Sequence, residues 1–151
     1  MIIRTEIDGK YKTIELHVCK DELTDEVTDI VRNLHEIYDR SVAGTDERGN
    51  RCLIKPAEII SAYAEGQRVF VMGPDGKYTV PKKLYELENE LPERNFVRIS
   101  KSEIVNIRKI KNLDMSVTGT IRLIMKNGYE TYVSRRNVAK IKEKLLTDRG
   151  N

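Results

Sequence analysis

Apolar and polar residues alternate with period two along most of this chain, and the period lengthens to a helical one in only three places. Ile2-Ile3-Arg4-Thr5-Glu6-Ile7 reads as a strand, Asp8-Gly9 as a turn, and Thr13-Ile14-Glu15-Leu16-His17-Val18 as the hairpin partner. A helix then starts at Thr24, a good N-cap residue, with Asp25 and Glu26 suited to the positive end of its dipole. Val27, Ile30, Val31, Leu34 and Ile37 fall on one narrow stripe of that helix. The stripe must cover either the rest of its own fold or a second copy of itself. Residues 1–47 thus read as a small ββα unit, close to the size below which independent folding is not expected.

From Arg51 the texture becomes short strands separated by turns. Cys52–Ile54, Ile59–Ala64, Val69–Val71 and Tyr78–Val80 are the first set, with Pro74-Asp75-Gly76 as a turn. Lys82 to Leu91 is a compact amphipathic helix stopped by Pro92. Strands resume at Phe96–Ile99, Ile104–Ile107, Leu113–Val117, Thr120–Met125 and Tyr129–Val133, the last two joined by the hairpin signal Asn127-Gly128. Ser134 is placed to cap a final basic helix through Asn137, Val138, Ile141 and Leu145. The prediction is a mainly β domain (α+β overall) over residues 48–151, with helices at its margins.

Composition narrows the function. With 39% hydrophobic and 34% charged residues among 151, the chain has room for one ordinary domain and a small extension, and is too well patterned to be disordered. No run approaches the ~20 apolar residues of a membrane span, and the N-terminus lacks a signal-peptide core, so a cytoplasmic protein is expected. The only histidines are His17 and His35 and the only cysteines Cys19 and Cys52. No CxxC or HExxH spacing occurs, so neither a zinc site nor another cofactor is expected, and a Cys19–Cys52 disulfide does not suit a reducing compartment. Glu86, Glu88, Glu90 and Glu93 interleave with Leu84, Leu87 and Leu91 and read as a solvated helix face rather than a catalytic carboxylate set. No phosphate loop, nucleophile elbow or triad is present, and the chain is not expected to be an enzyme.

Charge is unevenly spread. Residues 1–47 hold 6 Lys/Arg against 12 Asp/Glu, residues 48–93 hold 7 against 7, and residues 94–151 hold 14 against 5. A basic C-terminal half behind an acidic segment suits a polyanion-binding module, although the two parts could also simply balance one another. Side chains that match base-edge donors and acceptors gather in three connecting segments: Gly66-Gln67-Arg68, Arg98-Ile99-Ser100-Lys101-Ser102 and Ser134-Arg135-Arg136-Asn137. Arg98, Lys109, Arg122 and Lys140 are candidates for phosphate positioning. The alternative is an interaction or adaptor module whose acidic N-terminal unit docks a partner, with no specific DNA readout. RNA fits less well, since the chain has no Trp and only two Phe to stack splayed bases.

The segments Phe96-Val97-Arg98-Ile99-Ser100-Lys101-Ser102-Glu103-Ile104-Val105-Asn106, Asn127-Gly128 and Val133-Ser134-Arg135-Arg136-Asn137-Val138 resemble the LytTR DNA-binding domain of bacterial transcription regulators. The resemblance covers roughly residues 48–147. It implies an elongated arrangement of stacked β-sheets that binds double-stranded DNA sequence-specifically, with loops entering successive major grooves. It carries DNA contacts to Gln67, Arg68, Lys101, Ser102 and Arg136, with Arg135 adjacent. Gln67 stands where histidine can occur and Lys101 where asparagine can occur, so the contacted base sequence does not carry over. About 47 residues precede the domain, too few for a receiver, and the resemblance is to the short, receiver-less branch. That branch implies control by a membrane-protein partner in place of phosphorylation. Tandem half-sites would favour a homodimer.

Overall fold

The computed structural model describes residues 2–11, 15–38, 41–116 and 118–149. The chain divides into two compact units, residues 1–36 and 37–151. In the first, the expected helix forms and the expected hairpin does not. Helix α1 (Asp25–Tyr38) starts as predicted: the Val27 N–H donates to Thr24 Oγ1 at 3.4 Å and the Thr28 N–H to the Thr24 carbonyl at 3.0 Å. Residues 2–11 and 15–24 form no strand, while Thr13 and Ile14 lie outside the described residues. Ile2, Ile3, Ile7, Leu16 and Val18 are all exposed. Two short strands with nothing over their apolar side bury too little surface to offset the entropy of ordering them. The ββα unit is therefore corrected to an irregular segment followed by a helix.

The second unit takes in more of the chain than the expected boundary at residue 48 allows. Strand β1 (Val42–Thr45) pairs with β2 (Arg51–Ile54), placing buried Val42 opposite Ile54. Between them Asp46 Oδ1 accepts the N–H groups of Arg48 and Asn50 at 2.9 and 2.8 Å, so a cut at 48 would fall inside this turn.

A seven-stranded sheet follows, built further from β3 (Ser61–Glu65), β4 (Arg68–Gly73), β5 (Gly76–Val80), β6 (Phe96–Ser100) and β7 (Glu103–Asn106), in the order β2-β1-β5-β4-β3-β7-β6. A three-stranded sheet, β10-β9-β8, comprises β8 (Ile110–Asp114), β9 (Ile121–Met125) and β10 (Glu130–Val133). All the pairings are antiparallel. Strand β8 begins three residues before the expected Leu113, because Ile110 pairs with Met125 and Leu113 with Leu123; Val117 lies outside the described residues. Helices α2 (Leu84–Glu90) and α3 (Val138–Arg149) complete the unit.

The large sheet is covered on both faces. On one, Val69, Val71, Phe96 and Ile104 pack with Leu84 and Leu87 of α2 and with Leu91. On the other, Val97, Ile99 and Val105 pack with Ile121, Leu123, Met125 and Val133 of the small sheet and Ile141 of α3. A strand covered on both sides needs apolar residues at successive positions, which is why Phe96-Val97 and Ile104-Val105 occur as doublets. The α2 glutamates are more than a solvated face. Glu86 accepts the Lys83 N–H at 3.2 Å, Glu88 pairs with Arg98 at 3.5 Å and Glu90 pairs with Lys82.

Truncating Ile104 to Ala should cost about 2–5 kcal/mol of unfolding free energy. Leu53→Ala, at a position 74% exposed, should stay within about 0.5 kcal/mol. Urea denaturation of the two variants checks this; equal losses would contradict the two-faced core.

Candidate nucleic-acid interface

Antiparallel pairing of β3 with β7 puts the end of β3 beside the start of β7. The β3–β4 and β6–β7 turns therefore emerge at the same end of the large sheet, and the Ala64 N–H donates to the Ser102 carbonyl at 2.8 Å between them. The first turn is a two-residue hairpin, Gly66-Gln67, closed by Glu65 opposite Arg68. Gly66 has φ +61°, the positive value a II′ turn needs at its first central position. In the second, the Ser102 N–H donates to Ser100 Oγ at 3.2 Å, leaving the Lys101 side chain exposed.

The third segment joins through another backbone bond, from the Ser134 N–H to the Ile99 carbonyl at 2.8 Å. Ser134 does not cap the final helix. Its hydroxyl accepts from Asn137 Nδ2 at 2.7 Å and its carbonyl from the Asn137 N–H at 2.8 Å, which closes a 3-10 turn over Arg135–Asn137 ahead of α3. Arg135 lies across Gly119 of the β8–β9 loop, where a Cβ would come within 3.1 Å of its Nε. A side chain at 119 would displace that guanidinium.

Three segments far apart in sequence are thus tied together. Gln67, Arg68, Lys101, Ser102, Arg135 and Arg136 are all exposed. None of the four cations among them pairs with a carboxylate among the described residues. Two expected site residues have other engagements. Arg98 is on the α2 face of β6 and pairs with Glu88 at 3.5 Å, and the Asn137 amide is committed to Ser134. Of the positioning candidates, Arg122 pairs with Asp114 at 3.1 Å and with Glu130 at 3.5 Å on the outer face of the small sheet. Asp114 is held below its ordinary pKa by hydrogen bonds from Ser116 and by Arg122. Lys109 is half-buried and Lys140 exposed.

A carboxylate the pattern reading passed over sits directly behind the second tip. Glu103 opens β7 and is buried, and its Oε2 accepts from the buried Thr131 hydroxyl of β10 at 2.6 Å. Its other oxygen has no hydrogen-bond partner. Burial raises its pKa above the usual 4.5, the Thr131 hydrogen bond and the nearby Tyr129 hydroxyl partly opposing this. Burial, then the charge of Glu103, pushes the Tyr129 hydroxyl up to about 12. One signal was available: Glu103 is in phase with Val105 and so faces the second sheet. Its partner, 28 residues on, was not legible.

Residues 49–146 match the family model described as the LytTr DNA-binding domain. A regulator of Staphylococcus aureus strain NCTC 8325, named as an uncharacterized HTH-type transcriptional regulator, is 39% identical over 93 residues, covering 62% of this chain and 63% of that protein. A counterpart in strain MRSA252 has the same identity and coverage. The match thus spans less than two thirds of these relatives' length. A solved LytTr DNA-binding domain from Bacillus cereus superposes with a TM-score of 0.65 at 25% identity, over 70% of this chain and 96% of that one. Among the described residues the three α-helices are separated by strands and no two of them form a helix–turn–helix pair. No helix among the described residues is long and apolar enough to cross a membrane.

The raised pKa of Glu103 gives a signed pH dependence. The stability it confers is fully present below the unfolded pKa and is lost as pH rises through the folded one, because ionisation then charges a buried group. Glu103→Gln keeps an acceptor for Thr131 and cannot ionise. Its melting temperature should exceed that of the parent at pH 8, by a margin that shrinks towards pH 4. A margin independent of pH would contradict the assignment.

Proposed function

We propose that this chain, which belongs to the LytTR DNA-binding domain family, is a bacterial transcriptional regulator that reads duplex DNA through the three joined tips. The family is a DNA-binding one and not a family of enzymes. The carrying observation is the pair of backbone bonds, Ala64 to Ser102 and Ser134 to Ile99, that gathers unpaired cations from three segments at one end of a rigid sheet. Hairpin tips of this kind fit the ~12 Å major groove, where Arg and Lys match guanine O6 and N7 and Gln matches adenine N6 and N7. Gln67, Arg68, Lys101 and Arg136 are assigned to bases, and Ser102 and Arg135 to the backbone and its neighbourhood. Arg98 and Asn137 then act behind the surface, the first bracing β6 on α2 and the second closing the turn that presents Arg135 and Arg136. The protein works where the DNA is, in the cytoplasm.

A second copy of the chain is the proposed partner of α1. Val27, Ile30 and Leu34 are only half-buried and Val31 is exposed, so the stripe has no full cover within its own unit. A symmetric pair would place two DNA-reading units on repeated half-sites. Control by a membrane-protein partner, as the family resemblance implies, would act through the same N-terminal unit. Ile30→Glu should abolish self-association in sedimentation velocity while leaving the second unit folded; an unchanged sedimentation profile removes α1 from the interface.

The test of DNA reading uses a duplex selected by the chain from a random pool, with a scrambled duplex as control. Arg136→Ala should cost about 1–3 kcal/mol on the selected duplex and relax discrimination, with the circular dichroism spectrum unchanged. If about six phosphates are contacted, affinity should fall with salt at a log–log slope near −5. Unchanged affinity in Arg136→Ala removes that residue from the site, and equal weak binding of both duplexes favours the adaptor reading.

A further inference from the structure

Glu103 is unusual for its position. It follows the Lys101-Ser102 tip directly and points away from solvent, between the two sheets. The strand pairing puts Tyr63 of β3 opposite it on the same face, and Tyr129 at the start of the β10 limb also faces it. Tyrosines are the titratable groups that face it from these elements, whose Glu65 and Glu130 are exposed, and no cation contributes to its electrostatics. A carboxylate placed for stability alone would pair with a cation or reach water, since a buried unpaired charge is costly. This one instead takes a 2.6 Å hydrogen bond from the Thr131 hydroxyl across the gap between sheets, with the Tyr129 hydroxyl beside it.

What that bond joins is informative. Glu103 is the residue after Ser102, and Thr131 lies on the strand that runs through Val133 into Ser134, Arg135 and Arg136. The small sheet has no ladder bonds to the large one, so apolar packing alone would leave it free to slide by a fraction of an ångström. Apolar contacts are non-directional, whereas a 2.6 Å hydroxyl–carboxyl bond fixes both distance and direction. Together with the Ser134–Ile99 bond it gives two fixed points between the β6–β7 hairpin and the β10 limb.

We infer that Glu103 is a positioning residue for DNA readout: through the hydrogen bond from Thr131 it sets the Lys101–Ser102 tip in register with the strand that delivers Arg135 and Arg136. The inference rests on the DNA-reading function proposed above. It is the hydrogen bond that positions the tips, and the negative charge is dispensable. A loosened register lowers the affinity for the selected duplex more than that for a scrambled one, because backbone contacts tolerate small displacements that bidentate base contacts do not.

The experiment measures the ratio of affinities for the selected and scrambled duplexes in full-length Thr131→Val, Thr131→Ser, Glu103→Gln, Glu103→Leu and the double variant Glu103→Leu/Thr131→Val. Thr131→Val and Glu103→Leu should each lower the ratio about tenfold, and the double variant should be no worse than the worse single one, since both remove the same bond. Glu103→Gln and Thr131→Ser, which retain an acceptor and a donor, should keep the parental ratio. If Glu103→Leu does not fold, the Val and Ser pair at Thr131 decides the question alone. A parental ratio in folded Thr131→Val, or additive losses in the double variant, overturns the inference. Arg136→Ala in the same assay separates the two failures. If it discriminates like the parent, the DNA reading itself has failed; if it loses discrimination while Thr131→Val keeps it, only the role of Glu103 falls.

Discussion

Burial of β6 and β7 on both faces is the constraint on which the second unit depends. These two strands close one edge of the large sheet, and their apolar doublets face α2 on one side and the small sheet on the other. Without the small sheet, Val97, Ile99 and Val105 would stand against water. At roughly 25 cal/mol per Å² of apolar surface, that exposure would dominate the stability of the edge. The second sheet is therefore obligatory, and with it comes the placement of β10 beside β6. The turn that carries Arg135 and Arg136 is delivered to the β6–β7 tip by hydrophobic packing and then fixed there by the Ser134–Ile99 bond. The same double burial places Glu103 in the gap between sheets.

Electrostatics then sorts the cations. The basic C-terminal half holds 14 Lys/Arg against 5 Asp/Glu, but its arginines are not equivalent. Arg98 and Arg122 each meet carboxylates, the first on α2 and the second on neighbouring strands. These half-buried ion pairs remove those charges from competition for a polyanion. The four tip cations, Arg68, Lys101, Arg135 and Arg136, meet no carboxylate among the described residues. Cations gathered at one end of the sheet suit the steering of a duplex into a single orientation.

From β2 onward the strands of the second unit were legible because their apolar positions alternate or pair in recognisable ways, and Pro92, Gly66 and Asn127-Gly128 mark their limits; β1, four residues around Gly44, was not. The three tips were legible as exposed polar segments. Their proximity was not, since it follows from β3–β7 pairing between residues some forty positions apart in sequence. The N-terminal hairpin was misread for a related reason: alternation in Ile2–Ile7 and Thr13–Val18 satisfies a strand pattern, but a pattern does not supply a third element to cover it. Ser134 and Asn137 show the same limit at finer scale. A serine before a helix suggests a cap, but in the fold its hydroxyl is turned to an amide three residues on. Glu103 had a phase but no visible partner.

The most direct test of the central claim, that three separated segments form one DNA-facing surface, is a map of backbone amide shifts in the full-length chain as a selected duplex is titrated in. The largest shifts should fall at residues 66–68, 100–102 and 134–137, all saturating at the same duplex concentration. Shifts centred on α1 or α3, or saturation of the three segments at different concentrations, would contradict it.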